Sequence, residues 1–179
     1  MRFNSTIINV PGWTNSGELH WQSLWEKQHG FLRINHQDWD QPLCSDWIES
    51  IETFLADFDL GQTLLIGHSL GCVAIACWAE KYQRPIKGAL LVAPCDTEAP
   101  GFPEAIRGFN PMPGLRLPFK SILVSSTNDE FLSVDRARHF CTAWGSETVN
   151  IGAAGHINTA SRLGNWEPGL ELLKKLDRG

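Results

Sequence analysis

The sequence predicts an α/β fold in which about six mostly parallel strands form one sheet, with helices on both of its faces. Short aliphatic and β-branched runs alternate with helix-length segments along the chain, which is the pattern of parallel strands joined by crossover helices. The predicted strands are apolar at consecutive positions, as expected for a sheet that is covered on each face. We expect the 179 residues to form a single domain, 1–179, that buries a sizeable core.

The six predicted strands are short and end in turn-forming or polar sequences. They span residues 6–10, 31–35, 63–66, 89–93, 121–125 and 148–151. Ligand chemistry in open parallel sheets gathers at the carboxyl ends of the strands. Functional residues are therefore expected in the loops that follow the strands.

The predicted helices carry apolar residues on one face and span residues 18–28, 46–58, 70–81, 134–144 and about 168–176. In the second of them, Trp47, Ile51 and Leu55 recur at the spacing of one helical face. Asp46, with Glu49 three residues later, predicts a capping pair at the start of this helix.

Residues 94–118 hold six of the chain's ten prolines and predict no regular helix. The apolar side chains of Phe102, Phe109, Met112 and Leu115 could cover a binding site, which would make this segment a lid. The alternative, an irregular crossover that packs on the sheet, fits the same residues equally well.

Composition excludes several function classes. The formal charge of −5 and the lack of a basic stripe argue against a nucleic-acid partner. Five scattered cysteines without a C-x-x-C pair favour reduced, buried thiols over a disulfide framework or a metal site. The first residues lack the apolar core of a signal peptide, and no run approaches the ~18 apolar residues of a bilayer span. The sequence predicts a soluble, cytoplasmic protein with no membrane partner.

The most informative stretch is Gly67-His68-Ser69-Leu70-Gly71, which directly follows the apolar strand 63–66 and precedes a small-residue apolar helix. This context is typical of a nucleophile elbow, a sharp strand-to-helix turn that exposes a serine. Glycines on both sides remove the Cβ atoms that would collide in so tight a turn. Ser69 is therefore a candidate nucleophile.

A serine nucleophile needs a histidine base and an acid that orients it, and on this architecture they follow in the order Ser, Asp or Glu, His. Asp129 directly follows the fifth predicted strand and His156 directly follows the sixth. Both lie at the carboxyl ends of strands, where Ser69 also lies. We therefore predict that Ser69, Asp129 and His156 form a catalytic triad.

The other candidate bases fit less well. His139 lies in the middle of a predicted helix, and three histidines precede the elbow: His20, His29 and His36. His68 is adjacent to Ser69 and is expected to point elsewhere when the turn forms. Surface or core packing is the better interpretation of these residues.

Three other acids compete with Asp129. Glu130 is its neighbour, but a shorter acid nearer the strand end is held more rigidly. Asp96 follows the fourth strand and is a weaker competitor. Asp135 lies just beyond the probable N-cap Ser133, and it is expected to serve that helix terminus.

An oxyanion hole requires two backbone donors that converge on one point. The N–H of Leu70, the residue after the nucleophile, is one candidate. The loop after the first strand supplies the other, because Gly12 allows a close backbone approach, and we assign it to the N–H of Trp13. A plain turn between strand and helix would suit the same loop residues.

Further motifs accompany these residues. They are Pro11-Gly12-Trp13, His20-Trp21-Gln22 with Trp25, Gln37-Asp38-Trp39 with Pro42 and Trp47, Asn128-Asp129, and Gly155-His156-Ile157-Asn158 with Ser161, Gly164 and Trp166. With them the chain resembles, nearly end to end, the small serine hydrolases of the retinoblastoma-binding-protein-9 and YdeN type in the α/β-hydrolase superfamily. The resemblance implies a compact, cap-free α/β-hydrolase with Ser69, Asp129 and His156 as its triad.

The resemblance has limits. The L-x-C-x-E segment associated with retinoblastoma-protein binding has no counterpart here, so that partner is not implied. Glu130 stands where relatives often have proline. Trp13 or Trp39 could border the substrate pocket, with core packing as the alternative for each.

Residues and resemblance together predict a serine hydrolase that cleaves a carboxylic ester, thioester or small amide through an acyl-enzyme intermediate. Its substrate would be a small acyl compound, and no metal or organic cofactor is required. Two alternatives stay open. One is an acyltransferase on the same triad, and the other is a protein-interaction module with weak or vestigial catalysis, whose protein partner is unknown.

Overall fold

The core of the molecule is a six-stranded parallel sheet, which confirms the predicted α/β architecture. The computed structural model describes residues 2–179. The strands are β1 (Thr6–Val10), β2 (Leu32–Arg33), β3 (Thr63–His68), β4 (Gly88–Val92), β5 (Lys120–Ser125) and β6 (Glu147–Asn150). Their spatial order is β2-β1-β3-β4-β5-β6. The chain therefore changes direction across the sheet between β1 and β3, and open sheets bind ligands at the carboxyl ends of such a switch point.

Helices cover both faces of this sheet. They are α1 (Trp21–His29), α2 (Cys44–Leu55), α3 (Leu70–Tyr82), α4 (Val134–Trp144) and α5 (Glu167–Arg178), with short 3₁₀ turns at Leu60–Gln62 and Thr159–Ser161. The helices α1 and α5 pack on one face, and α2, α3 and α4 pack on the other. Between residues 2 and 179, no helix has both the length and the apolar character that crossing a bilayer requires.

The prediction that every strand is apolar on both sides is wrong at the edges of the sheet. The central strands β3 and β4 are buried along their whole length. At one edge, β6 is largely exposed. At the other edge, β2 contains two residues instead of the predicted 31–35. A strand at an edge has a neighbour on one side only, so less of its surface is covered.

The predicted capping pair of the second helix is also wrong. The helix α2 begins at Cys44, two residues before Asp46, and its N-cap Leu43 contributes no side-chain hydrogen bond. The N–H of Cys44 instead donates to the carbonyl of Arg107 over 2.9 Å. A backbone carbonyl from a distant segment thus takes the place of a capping side chain at the start of α2. The local sequence does not reveal such a contact.

The proline-rich segment 94–118 packs on the sheet as an irregular crossover. Phe109 and Met112 are buried in the core, and Thr97 Oγ donates to the carbonyl of Phe109 over 2.7 Å. Earlier in the same segment, Phe102 and Ile106 line a cleft at the carboxyl ends of the strands. The irregular crossover is confirmed, and a lid formed by segment 94–118 stays a prediction.

Candidate active site

Ser69 lies in the turn between β3 and α3, at the switch point of the sheet. Its φ of 53° and ψ of −122° form a backbone conformation that a residue with a side chain adopts only under strain. A Cβ on Gly67 would lie 2.9 Å from the backbone N of Cys72, and a Cβ on Gly71 would lie 2.0 Å from the carbonyl oxygen of Val10. The two glycines therefore allow the turn to close against α3 and β1, as the motif predicts.

Ser69, His156 and Asp129 form one continuous chain of hydrogen bonds. Ser69 Oγ lies 2.8 Å from His156 Nε2, and His156 Nδ1 lies 2.9 Å and 3.0 Å from the two carboxylate oxygens of Asp129. A carboxylate only accepts, so in the neutral ring Nδ1 carries the proton and Nε2 accepts from the serine hydroxyl. The side chain of Asp129 is fully buried. The structure thus brings together the three residues that the sequence selected.

The loops that carry Asp129 and His156 are hydrogen-bonded to each other. Asn128 Oδ1 accepts from the N–H of Gly155 over 2.8 Å, and Ser126 Oγ accepts from the N–H of Ala154 over 3.2 Å. The Ser126 hydroxyl also donates to Asn128 Oδ1 over 2.9 Å. These bonds fix the position of the loop after β5 relative to the loop after β6.

The competing acids lie outside this chain of hydrogen bonds. Asp96 accepts two bonds from the Arg136 guanidinium, over 2.6 Å and 2.8 Å. Glu130 is exposed. Asp135 is exposed and forms an ion pair with Arg138 over 3.2 Å.

Two buried side chains bond the backbone beside the base, and sequence reasoning missed both roles. His68 Nε2–H donates to the carbonyl of His156 over 3.0 Å, and Trp21 Nε1–H donates to the carbonyl of Ile157 over 2.8 Å. Ile157 has a φ of 50°, which is unusual for a β-branched residue. The two bonds therefore stabilise a strained loop. The position of His68 beside Ser69 was the sequence signal that could have indicated such a role.

The loop after β1 reaches the nucleophile. A Cβ on Gly12 would lie 2.9 Å from Ser69 Cβ and 3.3 Å from the backbone N of Leu70, so the backbone could not come this close with any larger residue. Within residues 2–179, the N–H groups of Trp13 and Leu70 donate no hydrogen bond. Two unpaired donors near a nucleophile are what an oxyanion hole requires.

Ser69 and His156 open into a cleft of about 450 Å³. Trp13 lines this cleft and is 37% exposed, so core packing is the wrong interpretation of this residue. Trp39 instead packs against the core, where its ring contacts those of His36 and Trp47. Of the two tryptophans considered, one borders the cleft.

Burial alters the ionisation of three further groups that line the cleft. Desolvation lowers the pKa of His20 to about 3 and lowers the pKa of His68 well below the usual histidine value. It also raises the pKa of the Cys95 thiol to about 12. All three side chains are therefore uncharged at neutral pH.

Comparisons with known proteins agree with this fold. A YdeN-like hydrolase from Pectobacterium atrosepticum is 32% identical and superimposes with a TM-score of 0.85 over 98% of this chain and 91% of that one. The ydeN gene product of Bacillus subtilis has the same fold, with a TM-score of 0.78 and 16% identity over 98% of this chain and the whole of that one.

A more distant similarity is to a pig protein, the 1-acylglycerol-3-phosphate O-acyltransferase ABHD5 of Sus scrofa. The two sequences are 30% identical over an alignment of 127 positions, which covers 57% of this chain and 35% of that protein. This chain thus matches only about a third of the length of that relative.

The family model described as "Serine hydrolase" matches residues 7–175, which include the turn at Ser69 and all six strands except the first residue of β1. The chain therefore belongs to the serine hydrolase family and is an enzyme of the α/β-hydrolase fold.

Proposed function

We propose that this enzyme hydrolyses a carboxylic ester, thioester or small amide, with Ser69 as the nucleophile, His156 as the general base and Asp129 as the acid that orients it. The observation that carries this proposal is the unbroken Ser69–His156–Asp129 hydrogen-bond chain, with its serine end open to the cleft. The family match supports the hydrolase activity, and the geometry supports these three roles.

The reaction begins when Ser69 Oγ attacks the acyl carbon and its proton passes to His156 Nε2. The imidazolium that forms is stabilised by the carboxylate of Asp129 beside Nδ1. The same proton then goes to the leaving alcohol, thiol or amine, which leaves the acyl group bonded to Ser69 Oγ. A water molecule, deprotonated by His156, then releases the carboxylic acid and restores the serine.

The backbone N–H groups of Leu70 and Trp13 would stabilise the oxyanion of each tetrahedral intermediate. The close approach of Gly12 to Ser69 supports this assignment. The removal of one such donor typically costs about 10²- to 10³-fold in turnover. No metal or organic cofactor enters these steps.

The test is labelling of the wild-type enzyme with a fluorophosphonate, compared with Ser69→Ala. We expect one phosphonyl adduct, located on Ser69 by peptide mass spectrometry, and no adduct on the variant. Ser45→Ala, which changes an exposed serine on α2, is the matched control and should label like the wild type. An adduct on Ser69→Ala, or hydrolysis of an activated ester at the wild-type rate by that variant, would contradict the proposal.

Acyl transfer on the same triad is the second candidate, because the ABHD5 relative is named as an acyltransferase. It predicts that an added alcohol or amine captures the acyl group in competition with water. The product ratio at increasing concentrations of the added nucleophile distinguishes the two. Free acid as the sole product at every concentration argues for hydrolysis.

A further inference from the structure

The cleft at Ser69 is lined by uncharged side chains, and we propose that it selects substrates whose acyl group carries no charge. This inference rests on the proposed function, because it names the substrate class of that same site. It divides the possible esters into neutral acyl groups, which the cleft accepts, and cationic or anionic ones, which it rejects.

The walls of the cleft are apolar or neutral on all sides. Trp13 and Thr14 come from the loop after β1, Phe102 and Ile106 from the proline-rich crossover, and Ala160 from the turn after β6. Among residues 2–179, none of the side chains that line the cleft belongs to lysine, arginine, aspartate or glutamate.

The nearby carboxylates do not reach the walls. Asp129 is fully buried behind His156 and is occupied by its hydrogen bonds. Glu104 lines a neighbouring cleft, which shares Phe102, Pro103 and Ile106 with the first one. Neither carboxylate lines the cleft at Ser69.

Apart from His156, which we propose as the general base, the titratable groups that line the cleft stay neutral. His20 is 4% exposed, and its Nδ1 accepts from the N–H of Gln22, so in the neutral ring the proton is on Nε2. His68 is 6% exposed and bonds to the carbonyl of His156. Burial lowers the pKa of both rings and raises that of Cys95, so none of these three groups supplies a charge that could pair with a charged substrate.

A charged acyl group would therefore lose its water at these walls without gaining an opposite charge. Desolvation of an unpaired charge is among the most costly changes in a protein site. We expect a penalty of about 10- to 100-fold or more in kcat/KM for a charged acyl group, compared with a neutral one of the same shape.

The experiment compares three p-nitrophenyl esters with one leaving group and matched acyl chains. They are the 5,5-dimethylhexanoate, which ends in a tert-butyl group, the 4-(trimethylammonio)butanoate, in which a quaternary ammonium replaces that group, and the 4-sulfobutanoate. The first two differ in charge at nearly constant shape. The measurement is kcat/KM for each ester with the wild-type enzyme, after correction for its spontaneous hydrolysis.

A kcat/KM for the neutral ester at least tenfold above both charged esters supports the proposal. If kcat/KM for the neutral ester exceeds that of either charged ester by less than tenfold, the proposal is overturned. The proposed function still stands in that case, provided that hydrolysis depends on Ser69. If none of the esters is hydrolysed and Ser69 takes no fluorophosphonate label, the proposed function fails, and this inference fails with it.

A second arm changes the wall itself. Ala160 is exposed and lines the cleft, so Ala160→Glu, Ala160→Lys and Ala160→Gln should all fold. Relative to the neutral Ala160→Gln variant, Ala160→Glu should raise kcat/KM for the cationic ester, and Ala160→Lys should raise it for the anionic ester. We expect about threefold or more in each case, because water partly screens an exposed charge pair. Selectivity that is the same in all three variants would show that wall charge does not control the choice of substrate.

Discussion

Ser69 and its two proposed partners, Asp129 and His156, are positioned in opposite ways. Ser69 follows a strand at the centre of the sheet, where β3 and the first turns of α3 are completely buried. Asp129 and His156 follow strands toward the edge, and the outermost of these, β6, is largely exposed. The first region is held by backbone packing without Cβ atoms, and the second is held by side-chain hydrogen bonds between loops.

This difference predicts that the two regions fail differently. Close packing around the elbow leaves no room for added atoms, so a change there should cost stability before it changes the chemistry. The acid and base loops are positioned by individual polar contacts. Changes there should cost activity while most of the stability is retained.

The largest effect is expected for Asp129→Asn. The N–H of Phe131 donates to Asp129 Oδ1 over 2.9 Å and would hold the amide oxygen there, so the NH₂ group would donate to His156 Nδ1. The ring would then carry its proton on Nε2, which could no longer accept from Ser69. We expect kcat to fall by about 10³- to 10⁴-fold, or about 4 to 5 kcal/mol in activation free energy. The measurement is the steady-state hydrolysis of an activated ester, with the free energy of unfolding measured in parallel.

Glu130→Gln is the control for this change, since it removes the adjacent exposed carboxylate and should leave kcat within about twofold. A loss of less than tenfold in Asp129→Asn would assign the orienting role to another residue.

The next effect is on stability, in Gly71→Ala. The added Cβ would lie 2.0 Å from the carbonyl oxygen of Val10 and 2.7 Å from that of Pro11, and both are backbone atoms that cannot rotate away. We expect a loss of about 3 kcal/mol or more in the free energy of unfolding, measured by urea denaturation. Gly114→Ala, where the new Cβ meets nothing within 4 Å, should stay within about 0.5 kcal/mol. Equal stability of the two variants would mean that the elbow is not closely packed.

Sequence reasoning succeeded where one short pattern carries its own structural context. The elbow combines a strand, two glycines and an apolar helix within residues 63–82, and the structure has all of them there. Asp129 and His156 could be selected because topology alone brings the carboxyl ends of parallel strands to one side. The distances from His156 to Ser69 and to Asp129 agree with that selection.

The features that sequence reasoning missed or predicted wrongly all depend on contacts between distant segments. The start of α2 depends on the carbonyl of Arg107, which is more than sixty residues away in the sequence. The bond from His68 to the carbonyl of His156 spans 88 residues. The shortened β2 and the exposed β6 depend on which strands lie at the edges of the sheet. None of these can be read from a local period or motif.

The buried histidine His20 makes the free energy of unfolding depend on pH, and this dependence gives a further test of how tightly the region around the elbow is packed. Burial lowers the pKa of His20 from 6.5 to about 3. Above about pH 6.5 neither the folded nor the unfolded chain protonates this ring. Between about pH 6.5 and 3 only the unfolded chain does, so each step toward acid favours unfolding. This contribution to stability is therefore complete at neutral pH and is lost as the pH falls through that range.

The smallest expected effect is in His20→Asn, which removes this titration and keeps an acceptor at the N-cap of α1. Between pH 7 and 4.5 the variant should lose about 2 to 3 kcal/mol less stability than the wild type, even if it is less stable at pH 7 because the side chain is smaller. The measurement is the free energy of unfolding in urea at several pH values. His139→Asn, on the exposed face of α4, should follow the wild-type pH dependence. If His20→Asn does so too, His20 takes up its proton in the folded enzyme, and the region behind the elbow is less sealed from water than its packing indicates.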